Sequence, residues 1–229
     1  MVRKTVLVLM MALFGAATAR ADQGLVRPDY TLINKLTHDS SSGYYYPNLF
    51  RRYLDNDSTL NAEDFKMLYY GYYFQLGYLP TGSSSVYNDS ISMLMANDKL
   101  SRSEWMRVIG YIYKYIETFP FDLEKLNLLF VAYHNVNDEY YSMKYRKKLE
   151  MLIKTILRTG DGKTPETGFH VLEREDEFSL LSVLGYDFSG QQSQIPPKCD
   201  YLAVSKNVDG IPGMYFDISQ IFIILNRRD

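Results

Sequence analysis

The chain has 229 residues, 25 basic and 27 acidic side chains for a formal charge of −2, and one cysteine. A balance this even excludes the concentrated positive field that a nucleic-acid partner requires. A single cysteine excludes an internal disulfide framework, so stability must come from packing.

The first 21 residues have the order of a secretory leader. Arg3 and Lys4 give a positive start, Val6 to Ala17 an apolar run, and Ala19-Arg20-Ala21 a small-x-small site before Asp22. The run is too short to span a bilayer, and no later run reaches that length, so no integral membrane segment is expected after cleavage. The expectation is export to the periplasm, the cell surface or the medium. Losing Arg3, Lys4 and Arg20 with the leader takes the 25 basic residues to 22 against 27 acids, a formal charge of −5.

Residues 22–159 read as helices, because one start signal recurs. Asn61 caps with Asp64 three residues on, and Leu60 faces Phe65 as a hydrophobic staple. Ser101 repeats the pattern with Glu104 and the Leu100–Trp105 pair, and Asp122 with Phe121 and Leu126. The stripes that follow have helical spacing: Phe65, Leu68, Tyr69, Tyr72 and Leu76; Trp105, Val108, Ile109, Ile112 and Ile116; Leu126, Leu129, Phe130 and Tyr133; Tyr145, Leu149, Leu152, Ile153 and Ile156. Shorter helices are expected around Tyr30–Leu36, Asn48–Leu54 and Val86–Ala96, with loops at Thr37–Gly43 and Thr81–Ser85. The helix over 62–76 carries aromatics nearly all round, so it is expected to be enclosed by several neighbours. Gly71 in its middle implies that something packs closely there.

After Gly160 the texture changes. Phe169–Leu172, Tyr201–Val204, Met214–Ile218 and Ile221–Leu225 read as strands, and Asp176–Leu184 as a short helix. The division expected is a leader at 1–21, a helical hairpin region at 22–159 and a small mixed α/β unit at 160–229. The fold class is α+β and mainly helical.

Two resemblances follow from particular residues. Ala132-Tyr133 and the turn Asn137-Asp138-Glu139-Tyr140 are similar to a tetratricopeptide-type hairpin, without a fixed 34-residue period. Tyr46-Pro47-Asn48-Leu49-Phe50, Leu68-Tyr69-Tyr70-Gly71-Tyr72 and the run Thr159–Val171, with Gly160-Asp161-Gly162 at its head, resemble the family catalogued as domain of unknown function 4919. That resemblance implies an exported protein of the gut Bacteroidetes. It implies no activity, cofactor or site residue.

Candidate chemistry is thin. Gly162-Lys163-Thr164 has the ending of a phosphate-binding loop, but Leu157 stands where that loop needs glycine, so no nucleotide is expected. Asp55, Asp57 and Thr59 lack the glycine and bidentate acid of a calcium loop, Leu60 and Lys66 standing there instead. Cys199 reads as a loop edge. Asp161, Glu166 and His170 are the weak catalytic candidates, with His170 pointing away from Phe169 and Val171 by strand alternation. Their spacing matches no metal-ligand pattern, and neither metal nor cofactor is expected. The 21 tyrosines allow a sugar- or peptide-binding face, for which Tyr70 and Tyr73 are the possible strip. The leading expectation is a non-enzymatic scaffold that binds a protein or glycan. The alternatives are an envelope hydrolase acting on glycan or peptide, and a carbohydrate-binding module.

Overall fold

Three helix starts are capped as their residues dictate in the computed structural model, which describes residues 25–80, 85–195 and 198–226. Asn61 with Asp64, and Ser101 with Glu104, form reciprocal capping boxes. The Asp122 carboxylate accepts from the Lys125 N–H at 2.9 Å. The leader over 1–21 and positions 81–84 of the loop before Ser85 lie outside the described residues.

In chain order the described residues form α1 (Tyr30–His38), α2 (Tyr46–Leu54), α3 (Ala62–Tyr72), α4 (Val86–Met95), α5 (Arg102–Ile116), α6 (Leu123–Asn135) and α7 (Glu139–Leu157). A 3-10 turn at Pro165–Thr167 leads to β1 (Phe169–His170) and α8 (Glu175–Val183). Then come β2 (Phe188–Ile195), β3 (Cys199–Val204), β4 (Gly213–Asp217) and α9 (Ser219–Asn226). The sheet has the order β1-β4-β3-β2, with β1 parallel to β4 and β3 antiparallel to it. The fold is therefore α+β, mainly helical, with a small mixed sheet.

The chain does not compact along the linear boundary at residue 159. One unit holds the described residues of Thr81–Glu150 and Glu173–Phe188; the other holds those of Gly24–Pro80, Met151–Leu172 and Ser189–Asp229. Helix α7 contributes its first three turns to the former and its last residues to the latter. The sheet shares its unit with α1, α2 and α3, so it is not an appendage to a finished helical array.

In the helical unit α5 packs against both α4 and α6, and α6 against α8. Trp105, Val108, Ile109 and Ile112 are buried on α5, whereas Ile116 is only half-buried and Tyr115 takes its place in the core. In the sheet unit α3 is enclosed: Phe65 and every residue from Met67 to Tyr72 are buried. A Cβ on Gly71 would stand 2.9 Å from Thr37 Cγ2 and 3.2 Å from the Tyr46 ring, which is the close approach that selects glycine.

Three elements differ from expectation. Helix α3 stops at Tyr72, because Phe74 and Gln75 bond three residues back, to Gly71 and Tyr72, and unwind the end. Leu76 therefore leaves the apolar stripe and is fully exposed. The run Ile221–Leu225 is helical rather than a strand: the Asp217 carboxylate accepts from the Ser219 N–H at 3.0 Å and starts α9. A short β-branched apolar run does not distinguish a strand from a partly buried helix. Strand β2, with its polar run Ser-Gly-Gln-Gln-Ser-Gln, carries no period-2 apolar signal and went unread.

Strand β1 lies at the sheet edge, and its outward backbone groups are closed by side chains. The His170 N–H donates to Thr159 Oγ1 at 2.9 Å, and the His170 carbonyl accepts from the Tyr70 hydroxyl at 3.1 Å. Just beyond it, the Leu172 N–H donates to the Tyr69 hydroxyl at 3.1 Å, and the Leu172 carbonyl accepts from Tyr78 at 2.6 Å. Four hydroxyls thus do what a fifth strand would do for this edge. Much of the tyrosine surplus in this unit serves structure.

Candidate functional site

The turn that carries the sequence candidates is held by its own residues. The Asp161 carboxylate accepts from the Lys163 N–H at 3.0 Å, and Gly162 sits at φ +69°, with the Phe169 ring beside it leaving no room for a side chain. Glu166 is exposed in the 3-10 turn. Hydrogen bonds from its own N–H and from Thr164, then Lys198 and Arg27, hold its carboxyl below the usual range. His170 is buried in β1, its Nε2 3.6 Å from Asp217 Oδ2.

Asp217 was not among the sequence candidates. It enters through strand register: His170 pairs with Asp217, and Asp217 with Cys199, so the three side chains form a row on one face. Lys198 Nζ reaches the same carboxylate at 3.9 Å. The order of the row decides its chemistry. The carboxylate stands between imidazole and thiol, whereas nucleophilic catalysis places the imidazole between the other two. Burial, and then Asp217, push the Cys199 thiol up, and its Sγ donates to the Pro165 carbonyl at 3.2 Å. Burial pushes the His170 imidazole down, opposed in part by Asp217, and Nδ1 is buried without a hydrogen-bond partner. The carboxylate thus separates an imidazole whose pKa is lowered from a thiol whose pKa is raised.

The same unit carries a cleft of about 490 Å³. Tyr30, Thr31 and Asn34 of α1 form one wall, Tyr73 to Leu76 after α3 a second, and Gln220, Ile223 and Ile224 of α9 the third. None of these side chains carries a formal charge, and burial raises the Tyr30 phenol well above its usual value, keeping it protonated. The Tyr30 ring meets Tyr70, Tyr73 and Phe74 edge-on at 5.9, 6.0 and 6.4 Å. Tyr70 is completely buried, so Tyr70 and Tyr73 do not make an exposed strip; Tyr73 alone belongs to the cleft wall. The surface it helps form depends on the unwound end of α3 and on α9 being a helix, two features that sequence reading had otherwise.

The helical unit buries charge as well. Asp122, Lys125, Glu173, Asp176 and Glu177 are all buried. The Tyr115 hydroxyl donates to Asp122 Oδ2 at 2.8 Å, and Lys125 Nζ lies 5.3 Å from the Tyr115 ring centre. Burial first, then Asp176 and Asp122, raise the Glu173 carboxyl well above its usual range. Among the described residues no group of three or more His, Cys, Asp or Glu side chains could hold a metal ion. No described helix is long and apolar enough to cross a membrane.

The chain matches the family described as Domain of unknown function (DUF4919) over residues 31–227. No curated protein and no solved structure matches it.

Proposed function

The chain belongs to that family, and for it we propose a non-enzymatic, exported binding protein. The observation that carries the reading is the cleft: concave, about 490 Å³, and walled by aromatic rings, aliphatic side chains and amides with no carboxylate or imidazole. A pocket of this size suits a small ligand or a short segment of a larger one. General acid–base work near neutral pH needs a group that titrates there, and this lining offers only phenols, that of Tyr30 raised well above its usual value by burial. Export is supported by the charge–apolar–small order of residues 1–21.

The full chain, incubated with envelope peptides and glycans, is expected to retain ligand and return it with unchanged mass by mass spectrometry. A cleaved product whose formation is abolished by His170→Ala, with melting unchanged, would overturn the non-enzymatic reading in favour of an envelope hydrolase. For export, the protein recovered from its native host is expected to begin at Asp22, and an intact Met1 would refute it.

A further inference from the structure

We infer that the cleft between α1, the end of α3 and α9 takes a neutral saccharide. This rests on the binding reading above and names its ligand class. The uncharged lining comes first: a carboxylate or ammonium drawn into it would lose hydration and find no opposite charge. The ligand is therefore neutral.

The second argument is the mixture of surfaces. Tyr30 and Phe74 are half-buried rings with area left to cover, and Asn34, Gln75 and Gln220 bring side-chain amides to the same cleft. An amide presents two donors and an acceptor, which matches a hydroxyl that both donates and accepts. A pyranose has both features, an apolar C–H face and a hydroxyl rim. An acyl chain or an apolar peptide side chain would cover the rings and strand the amides, which disfavours it.

The third argument is availability. The amides of Asn34 and Gln220 make no hydrogen bond to the described residues, whereas Gln75 Nε2 donates to the Gly71 carbonyl at 3.1 Å. That bond fixes the Gln75 amide and leaves its carbonyl oxygen available. One amide is pre-oriented and two can adapt.

Isothermal titration of the full chain tests this with three probes: neutral trisaccharides of glucose, mannose and N-acetylglucosamine; an acidic trigalacturonate; and an apolar tripeptide. The expected result is binding of at least one neutral trisaccharide, weakened about fivefold or more by Asn34→Ala and by Gln220→Ala, since each removes a hydrogen-bonding group. Both positions have accessible side chains, so the variants are expected to keep the wild-type melting temperature. Binding of the tripeptide or the acidic sugar alone would overturn the saccharide assignment and leave the binding reading standing. Neutral binding that both variants leave unchanged would remove the site from this cleft. No binding by any probe would overturn the saccharide assignment and the binding reading together.

Discussion

The two units bury polar groups in different currencies. The helical unit encloses carboxylates, with Asp122, Glu173, Asp176 and Glu177 inside beside the buried cations Lys125 and Lys148. The sheet unit buries Asp64, Asp200 and Asp217 as well, but it also sets the hydroxyls of Tyr69, Tyr70 and Tyr78 against the backbone of an edge strand. A buried hydroxyl that donates or accepts one bond is nearly indifferent to pH, whereas crowded carboxylates are not. The contrast teaches that the tyrosine richness is first a solution to an open sheet edge. The cleft is what remains at its margin, where Tyr30 and Tyr73 form part of its walls.

The largest expected effect breaks the hydroxyl side of the comparison. Tyr69→Phe, Tyr70→Phe and Tyr78→Phe each leave a backbone group of His170 or Leu172 buried without its partner, at a cost of about 1–3 kcal/mol apiece. The triple variant should lose more than any single one by urea denaturation. A triple variant as stable as the wild type would show that the edge is closed some other way.

pH should separate the units by sign. In the helical unit the Glu173 pKa is raised, so its contribution is whole below the ordinary value of 4.5 and is lost as pH rises through the raised one. In the sheet unit burial lowers the His170 pKa, so its contribution is whole above the ordinary 6.5 and is lost as pH falls through the depressed one. Glu173→Gln should flatten the decline in denaturation midpoint on the alkaline side of 4.5. His170→Gln should flatten the decline on the acid side of 6.5. If each variant altered the opposite limb, the assignment of buried charge to the two units would be wrong.

A smaller effect sharpens the packing of the sheet unit. Gly71→Ala puts a methyl 2.9 Å from Thr37 Cγ2 and should cost about 1–3 kcal/mol, measured by thermal or chemical denaturation. A neutral outcome would mean that α1 and α2 can move away from α3 without loss.

Local chemistry was legible because it needs only neighbours in sequence. The caps at Asn61, Ser101 and Asp122 pair a side chain with an N–H two or three residues away, and the helix starts followed from them. The enclosure of α3 was legible too, since aromatics on every face leave no solvent side. His170 was legible as a weak catalytic candidate, but its partner Asp217 was not, because it lies 47 positions away and is placed opposite His170 by strand register. Register is set by tertiary pairing, and a shift of one residue would have turned Asp217 to the other face.

By itself, then, the sequence determined the helix starts, the helical periods, the glycine at the crowded centre of α3 and the α+β class. Each is a short-range consequence of capping, spacing or steric room. The tertiary structure decided that the chain compacts as interleaved units, that Ile221–Leu225 coils as α9, and that four hydroxyls seal β1. The cleft belongs to the same class, because its α9 wall begins at Gln220, 144 positions beyond Leu76 of the nearest other wall. Long-range contacts of that kind reward burial and hydrogen bonding only after the chain has closed its loops, and no local pattern of residues records them.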